Sequence, residues 1–305
     1  MILGEVMRIG TRASKLALTQ AAWAAELTVG KDRFELVHVT TKGDTDRRHL
    51  SQIGGTGVFV NAVREALLNK EVDAVVHSLK DLPTAPEHGI ALACIPHRED
   101  VTDALCSRDG MRLADLPAGA SVGTGSPRRA AQLRAIRPDL QVVPIRGNVD
   151  TRLAKVTDGE LDGVVLATAG LNRLGLEGHI SERFDPKQFL PAPAQGALAL
   201  EIRTEAAEGT WYGEALTAAD HADTRAAVLA ERSLLRTLEA GCSAPVGAYA
   251  TVEGGVLTLR GGAFATDGSQ TWVDHVEGPA ENAVELGAVL AQQLLDAGAG
   301  TVLNA

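Results

Sequence analysis

The sequence predicts an α/β fold over its first two thirds and a smaller α+β block at its C-terminal end. Apolar segments of strand length alternate with segments of helical periodicity up to residue 203, which is typical of a mostly parallel sheet covered by helices. Aromatic residues are only 3% of the 305 residues, so Ala, Val, Leu and Gly carry the apolar content, as in such sheets. The last block instead shows hairpin-like strands and one long amphipathic helix.

The elements are predicted in the following order. The first α/β run has strands at 6–10, 34–40, 73–83 and 89–96 and helices at 11–27 and 59–72, with a polar glycine-rich loop at 41–57. A crossover at 96–107 leads to a second α/β run at 121–176, and a proline-containing return crossover precedes an apolar strand within 189–203. The C-terminal block has helices at 221–241 and 281–299 and strands around 253–260 and 269–278. No internal repeat is evident.

Charge and cysteine content disfavour several classes of protein. The net charge of −10 argues against general nucleic-acid binding. Cys94, Cys106 and Cys242 are widely spaced and form no C-x-x-C pair, which argues against a disulfide framework or a metal site and favours a reducing compartment. The first residues, MILGEVMRIGTRAS, lack the apolar core of a signal peptide, and no apolar run reaches transmembrane length. We therefore expect a cytoplasmic protein without a metal.

One segment has the opposite charge. Residues 123–152 contain six arginines, no lysine and two acids, which indicates either an anionic ligand or a solvated helix face. Within GTGSPRR, Ser126 is a candidate N-cap and Pro127 suits the first helical position. Arg128 and Arg129 then fall in the first turn, where the helix dipole disfavours cations and a bound carboxylate or phosphate would offset them. The alternative is a tight glycine turn.

Two further junctions repeat this pattern. Arg12 and Ser14 lie between a strand and a helix in TRASKL, where an ordinary capped helix is the alternative. Arg146 and Arg152 follow another strand in IRGNVDTRL. Because ligands bind at the carboxyl ends of strands in open α/β sheets, the three junctions predict a ligand with several carboxylates.

Two other stretches offer reactive groups. VVHSLKDLP places Ser78, Lys80 and Asp81 at the end of a strand, where the acid and the lysine form either a surface ion pair or a catalytic carboxylate in a cleft. Cys242, in LEAGCSAPVG, follows Gly241 at a helix C-terminus, which does not lower a thiol pKa. An inert buried thiol and a covalent tether both remain open from the residues alone.

Taken in order, these segments resemble the porphobilinogen deaminase family, also called hydroxymethylbilane synthases. The matching stretches run from residue 8 to 250: RIGTRASKLAL, VHSLKDLP, VGTGSPRRAAQL, IRGNVDTRL, AGLNRLGL, LPAPAQGALALE and LEAGCSAPVGAY. The resemblance implies a transferase of tetrapyrrole biosynthesis that joins four porphobilinogen molecules, with loss of ammonia, into linear hydroxymethylbilane. It also implies a dipyrromethane cofactor held by a thioether to Cys242.

The resemblance assigns roles to the other residues. Asp81 would be the principal catalytic residue, a carboxylate facing the cofactor's pyrrole N–H groups that stabilises positive charge on a ring nitrogen and helps to move protons. The acid side chains of the cofactor would be held by Ser78, Lys80, Thr124, Ser126, Arg128 and Arg129. Incoming substrate and the growing chain would be held by Arg12, Ser14, Arg146, Arg152 and Arg173.

The family fold implies two periplasmic-binding-protein-like α/β domains flanking a cleft, with a small third domain that carries the tether. The implied limits are 1–97 with 195–216, then 98–194, then 217–305, in a monomeric protein. The chain departs from the family pattern at Thr56, where a basic residue is common, at Lys42, where arginine is common, and at Ala194, where glycine is usual.

Rival interpretations share parts of this pattern. A non-catalytic solute-binding protein would use the same helix N-termini and arginines, and turnover of porphobilinogen separates it from the enzyme. A cysteine-dependent acyl transferase would need one of the eight histidines beside Cys242, and no histidine lies in a matching motif. A nucleic-acid binder is disfavoured because the arginine-rich segment lacks interleaved aromatic residues.

Overall fold

The computed structural model describes residues 6–39, 57–238 and 244–303. Lys42, Thr56 and Cys242, which the sequence singled out, lie outside the described residues. The chain forms two compact units: unit 1 comprises Met1–Arg98 and Ala197–Arg225, and unit 2 comprises Glu99–Gly196 and Ala226–Ala305. Within the described ranges, none of the helices combines the length and the apolar character that crossing a membrane requires.

Unit 1 is built on a five-stranded mixed sheet. Its strands are β1 (Met7–Thr11), β2 (Phe34–His38), β3 (Ala74–Ser78), β4 (Ile90–Cys94) and β10 (Leu198–Arg203), in the spatial order β2-β1-β3-β10-β4. Strand β1 runs parallel to β2 and β3, whereas β10 is antiparallel to both β3 and β4. The return segment of the chain therefore supplies an interior strand.

Helices cover both faces of this sheet. They are α1 (Lys15–Val29), α2 (Gly57–Leu68) and α6 (Trp211–Ala219), and a short 3-10 helix, Leu79–Asp81, follows β3. Ala21 and Ala24 of α1 pack with Leu200 in one apolar cluster, and Val63 of α2 packs with Val75 in another. The small side chains of α1 let it lie close to the sheet, which positions its N-terminus beside the end of β1.

Unit 2 repeats the strand order of unit 1. Its first sheet contains β5 (Asp103–Ser107), β6 (Ser121–Thr124), β7 (Gln141–Pro144), β8 (Gly163–Ala167) and β9 (Glu182–Arg183), in the order β7-β6-β8-β5-β9. Strands β6, β7 and β8 are parallel, and β5 is antiparallel to β8 and β9. Its helices are α3 (Pro127–Ile136), α4 (Val149–Thr157) and α5 (Thr168–Leu174).

One prediction about these sheets needs correction, and another is confirmed. Residues 96–107 were interpreted as a crossover only, but Asp103–Ser107 form the buried strand β5. The expected mostly parallel arrangement is confirmed for four of the five strands in each sheet, whereas β10 in unit 1 and β5 in unit 2 run antiparallel to both of their neighbours. Both strands follow a passage of the chain between units, which brings them into the sheet from the opposite direction.

The rest of unit 2 is the predicted α+β block. Strands β11 (Val246–Glu253), β12 (Val256–Phe264) and β13 (Thr271–Pro279) form an antiparallel sheet. Helix α8 (Ala283–Asp296) packs on it, as does most of α7 (Ala222–Thr237), through a core that includes Leu234, Leu259 and Leu290; a short helix α9 (Gly300–Leu303) follows. The sequence predicted both long helices and the last two strands but missed β11.

A buried ion pair joins the helix α2 to the sheet of unit 1. Arg64 donates from Nε to Glu201 Oε2 at 2.9 Å and from Nη2 to Oε1 at 2.6 Å. Both residues are buried, with Arg64 6% and Glu201 4% exposed. His77 Nε2 lies 3.3 Å from Glu201 Oε2 but is not aligned for a hydrogen bond. The bidentate geometry fixes α2 against the interior strand β10.

Candidate functional site

The carboxyl end of β6 leads directly into a capped helix in unit 2. Ser126 accepts a hydrogen bond from the backbone N–H of Arg129 at 3.4 Å, and Pro127 occupies the first helical position of α3, as predicted. Thr124 at the end of β6 accepts from the N–H of Ser126 at 3.2 Å, which tightens the turn. Arg128 and Arg129 thus lie in the first turn, and both are buried, at 3% and 6% exposure.

Both guanidinium groups meet the carboxylate of Asp103. Arg128 Nη1 donates to Asp103 Oδ2 at 2.7 Å, and Arg129 Nε donates to Oδ1 at 2.9 Å. Burial alone would raise the pKa of Asp103, but the charges of the two arginines outweigh it and hold that pKa well below its usual range. Burial lowers the pKa of Arg128, although Asp103 opposes this effect. The cluster is therefore ionised and carries excess positive charge.

A third arginine adds to this charge. Burial, followed by the charge of Arg129, lowers the pKa of Arg152 in α4. The buried Nε atoms of Arg128 and Arg152 have no hydrogen-bond partner among the described residues. A Cβ on Gly125 would lie 2.6 Å from the carbonyl oxygen of Ile145, so glycine is required where the chain passes this cluster. Excess charge together with unused donors is suited to binding an anion.

Two more predicted arginines of unit 2 lie after β7 and in the last turn of α5. Arg146 follows β7 and is exposed, just before Asn148, which caps α4 by accepting from the N–H of Thr151 at 2.9 Å. Arg173 in α5 donates from Nη2 to the carbonyl oxygen of Gly196 at 2.7 Å, and burial lowers its pKa to about 10. The structure thus brings Arg128, Arg129 and Arg152 into one charged cluster, and Arg173 binds the return segment.

Unit 1 has its own pocket at the carboxyl ends of β1 and β3. Its volume is about 240 Å³, and its lining includes Arg12, Ser14, Gln20, His77, Ser78 and Asp81. Ser14 caps α1 by accepting from the N–H of Ala17 at 3.3 Å, as predicted. Ser78 and Gln20 are joined by hydrogen bonds of 3.1 and 3.2 Å. Asp81 is exposed in the 3-10 helix, directly after Lys80.

Four polar residues of these sites were not singled out from the sequence. Gln20 and His77 line the pocket of unit 1. Asp103 and Gln195 are both 0% exposed and are hydrogen-bonded to each other in unit 2. The available signal was weak: Gln20, His77 and Gln195 are polar residues inside otherwise apolar stretches, and Asp103 directly precedes the apolar residues of β5.

The two described cysteines are unreactive. Cys94 and Cys106 are free and buried, and burial raises the pKa of each thiol to about 12. At neutral pH both therefore remain protonated, and neither is suited to nucleophilic chemistry. Over the residues placed by the structure, no group of His, Cys, Asp and Glu side chains could hold a metal ion.

Two solved structures are remotely similar to this chain. A putative methionine-binding lipoprotein from Bacillus subtilis aligns at a TM-score of 0.42 and 11% identity, over 70% of this chain and 90% of that one. A periplasmic arginine-binding protein from Salmonella typhimurium aligns at a TM-score of 0.38 and 16% identity, over 71% and 92%.

Comparison of sequences is far more specific. Residues 7–210 match the family model of the porphobilinogen deaminase dipyrromethane cofactor binding domain, and residues 225–296 match that of the porphobilinogen deaminase C-terminal domain. The porphobilinogen deaminase of Thermobifida fusca is 54% identical over 97% of this chain and 95% of its own length. That of Nocardia farcinica is 52% identical over 98% and 88%. The capped arginine junctions thus occur within a matched cofactor-binding domain, and the chain belongs to the porphobilinogen deaminase family of transferases.

Proposed function

We propose that this protein joins four porphobilinogen molecules head to tail into hydroxymethylbilane, releasing ammonia at each addition, on a dipyrromethane cofactor attached to Cys242. The observation that carries the proposal is the cluster of Arg128, Arg129 and Arg152 at helix N-termini. Its excess positive charge and unused Nε donors suit a ligand with several carboxylates. Each porphobilinogen ring carries an acetate and a propionate, so each addition brings two such groups.

The residues present fit the cofactor. In unit 2, Thr124, Ser126, Arg128 and Arg129 offer hydroxyls and buried guanidinium donors beside Gly125, where a side chain would collide with the backbone. In unit 1, Ser78 and Lys80 offer a hydroxyl and an ammonium group at the end of β3. We assign the cofactor's acid side chains to these six residues. When bound, the cofactor supplies the pyrrole carbon on which the product is built.

Substrate carboxylates are assigned to a second set of residues. Arg12 and Ser14 line the pocket of unit 1, and Ser14 keeps the N-terminus of α1 in place as its cap. Arg146, Arg152 and Arg173 follow the ends of parallel strands in unit 2. Arginine is favoured in this role because its planar group binds a carboxylate through two parallel hydrogen bonds.

Asp81 is assigned the catalytic role. Its exposed carboxylate lines the same pocket as Arg12 and Ser14. Loss of ammonia from porphobilinogen would leave an electrophilic methylene carbon. Bond formation between that carbon and a pyrrole carbon would place positive charge on the ring nitrogen, and the Asp81 carboxylate beside that N–H would stabilise the charge as it develops. The same oxygen can accept a proton when the ring becomes aromatic again.

The proposal includes three domains, at 1–97 with 195–216, at 98–194 and at 217–305, and the three separate sheets support this division. It also includes a monomeric enzyme in the cytoplasm that does not bind nucleic acid, which the net charge of −10 and the buried free cysteines support. Size-exclusion chromatography with light scattering tests the oligomeric state.

The deciding experiment is an intact-mass measurement of the purified chain with peptide mapping around residue 242. We expect an added dipyrromethane on Cys242. A protein without it is incubated with porphobilinogen and should then gain the adduct and release ammonia. A protein that binds porphobilinogen without gaining mass or releasing ammonia is a solute-binding protein, and that outcome would refute the proposal.

A further inference from the structure

Asp103 occupies an unusual position at the first residue of β5. It is 0% exposed, and three side chains donate to its two oxygens. Arg128 uses Oδ2, at 2.7 Å. Arg129 and Gln195 share Oδ1, at 2.9 Å from Arg129 Nε and 2.8 Å from Gln195 Nε2. A single carboxylate therefore fixes the ends of both arginines that follow the N-cap of α3.

Gln195 holds this carboxylate in place from the return segment. Its Nε2 also lies within hydrogen-bond distance of the carbonyl oxygens of Val101, at 2.9 Å, and Thr102, at 3.3 Å. Its Oε1 accepts from Arg129 Nη2 at 3.4 Å. The backbone before Asp103, its carboxylate and Arg129 are thus linked through one amide side chain. Gln195 is itself 0% exposed, so this linkage is shielded from water.

The carboxylate of Asp103 reduces the positive charge of the arginine cluster without neutralising it. Asp103 carries one negative charge, and Arg128, Arg129 and Arg152 carry one positive charge each, so Asp103 offsets part of the charge and leaves a net +2. Asp103 also binds only one side of each guanidinium group of Arg128 and Arg129. The Nε of Arg128 makes no hydrogen bond among the described residues and can still donate one. An ion pair that served stability alone gains little over apolar residues of similar volume, because desolvation of its charges is costly.

We propose that Asp103, held by Gln195, is a positioning residue for the dipyrromethane-binding arginines. It holds the guanidinium groups of Arg128 and Arg129 in the orientation that receives the cofactor's carboxylates. It also lowers their mutual repulsion before the ligand arrives. This inference rests on the proposed function, and Asp103 itself makes no contact with reacting atoms in it.

The test measures the rate at which the protein without cofactor gains the dipyrromethane adduct. It does not measure the activity of the enzyme that already carries the cofactor. The full chain and its variants are produced in a host that makes no porphobilinogen and are then incubated with it. Intact mass gives the rate of adduct formation and the porphobilinogen concentration at half-maximal rate, and circular dichroism gives the melting temperature. The variants are Asp103→Asn and Gln195→Met. The matched control is Asp139→Asn, which removes an exposed partner of Arg137, 2.7 Å away, in the same unit.

Asp103→Asn should slow adduct formation by about tenfold to a hundredfold, the range found when a hydrogen-bond partner that orients a metal-binding side chain is removed. It should also raise the half-saturating concentration, and Gln195→Met should do the same to a smaller extent. A variant that is merely less stable contains fewer competent molecules, which lowers the amplitude but leaves the half-saturating concentration unchanged. Asp139→Asn should match the wild type.

The outcomes separate this inference from the proposed function. If folded Asp103→Asn acquires the adduct with the wild-type half-saturating concentration, Asp103 is structural and the inference is wrong. If Asp103→Asn does not fold, the result for Gln195→Met decides. A half-saturating porphobilinogen concentration equal to that of the wild type in Gln195→Met overturns the inference. If the wild type and Asp139→Asn gain no adduct at all, the proposed function fails and the inference falls with it.

Discussion

The Arg64–Glu201 pair of unit 1 gives a quantitative prediction when Glu201 is replaced by Gln. Glutamine keeps the size of the side chain but removes its charge. Arg64 then retains its charge at a site that is 6% exposed, and Glu87, 3.4 Å away, is its remaining acidic partner among the described residues. The substitution lies on the opposite face of the sheet from α1, so it perturbs the scaffold of unit 1 with little change to the end of β1.

The size of the effect follows from the pKa of Glu201. Burial alone would raise this pKa, but the hydrogen bonds and charge of Arg64, with His77 nearby, lower it from 4.5 to about 2. A decrease of this size corresponds to about 3 kcal/mol of folding free energy at neutral pH. Removing one partner of a buried ion pair typically costs about 3–5 kcal/mol of folding free energy, which agrees with the value obtained from the pKa.

The sign of the pH dependence follows from the same values. The folded-state pKa lies below the unfolded-state value, so the stabilisation is fully present above pH 4.5 and is lost as the pH falls toward 2. We therefore expect Glu201→Gln to lower the free energy of unfolding by about 3 kcal/mol at pH 7 and by about half as much near pH 3. Glutamine does not titrate, so position 201 contributes a pH-dependent free energy only in the wild type, while the other groups titrate in both proteins.

Urea unfolding followed by tryptophan fluorescence measures this difference. Trp23 and Trp211 belong to unit 1 and Trp272 to unit 2, so a Trp272→Phe background reports on unit 1 alone. Glu205→Gln serves as the control, because Glu205 is 62% exposed and lies 3.5 Å from Arg203. A difference between wild type and Glu201→Gln that is the same at pH 7 and pH 3 would refute this reasoning, since it would show that the carboxylate charge contributes nothing.

Four further predictions concern the site and its surroundings. Asp81→Asn should lower kcat for ammonia release by about a hundredfold or more while adduct occupancy by mass is retained; a normal kcat contradicts the catalytic assignment. Arg152→Gln should raise the KM for porphobilinogen about ten- to a hundredfold, the loss of one charged hydrogen bond, and an unchanged KM argues against substrate contact. Ala194 has a φ of 63°, so Ala194→Gly should stabilise the protein by about 1 kcal/mol in thermal unfolding, and a lower Tm contradicts this. Cys242→Ala should gain no adduct mass after incubation with porphobilinogen, and a full adduct would place the tether elsewhere.

Local features of the site could be predicted from the sequence because they depend on neighbouring residues. Ser14 and Ser126 cap their helices, and Pro127 takes the first helical position, since each needs only the next few residues to form its structure. Ala194 stood out where glycine is usual, and the positive φ supplies the physical reason for that preference.

Contacts between distant residues could not be predicted in this way. The role of Asp103 depends on Arg128 and Gln195, which lie 25 and 92 positions away. The antiparallel direction of β5 and β10 was not predicted for a related reason, because the alternation of apolar residues is the same in parallel and antiparallel strands. The strand order that the two sheets share could not be predicted either, because it depends on which strands are hydrogen-bonded to each other and no local sequence pattern records this.

The interior position of β10 has a consequence for the nascent chain on the ribosome. Strand β4 ends at Cys94 and pairs with β10, which begins at Leu198. During translation, β4 must therefore wait for about a hundred further residues to emerge before its partner strand exists. The sheet of β5 to β9 has all its strands between Asp103 and Arg183, so it can close first. Until β10 emerges, the N-terminal segment exposes an unpaired edge of β3, to which another chain can pair.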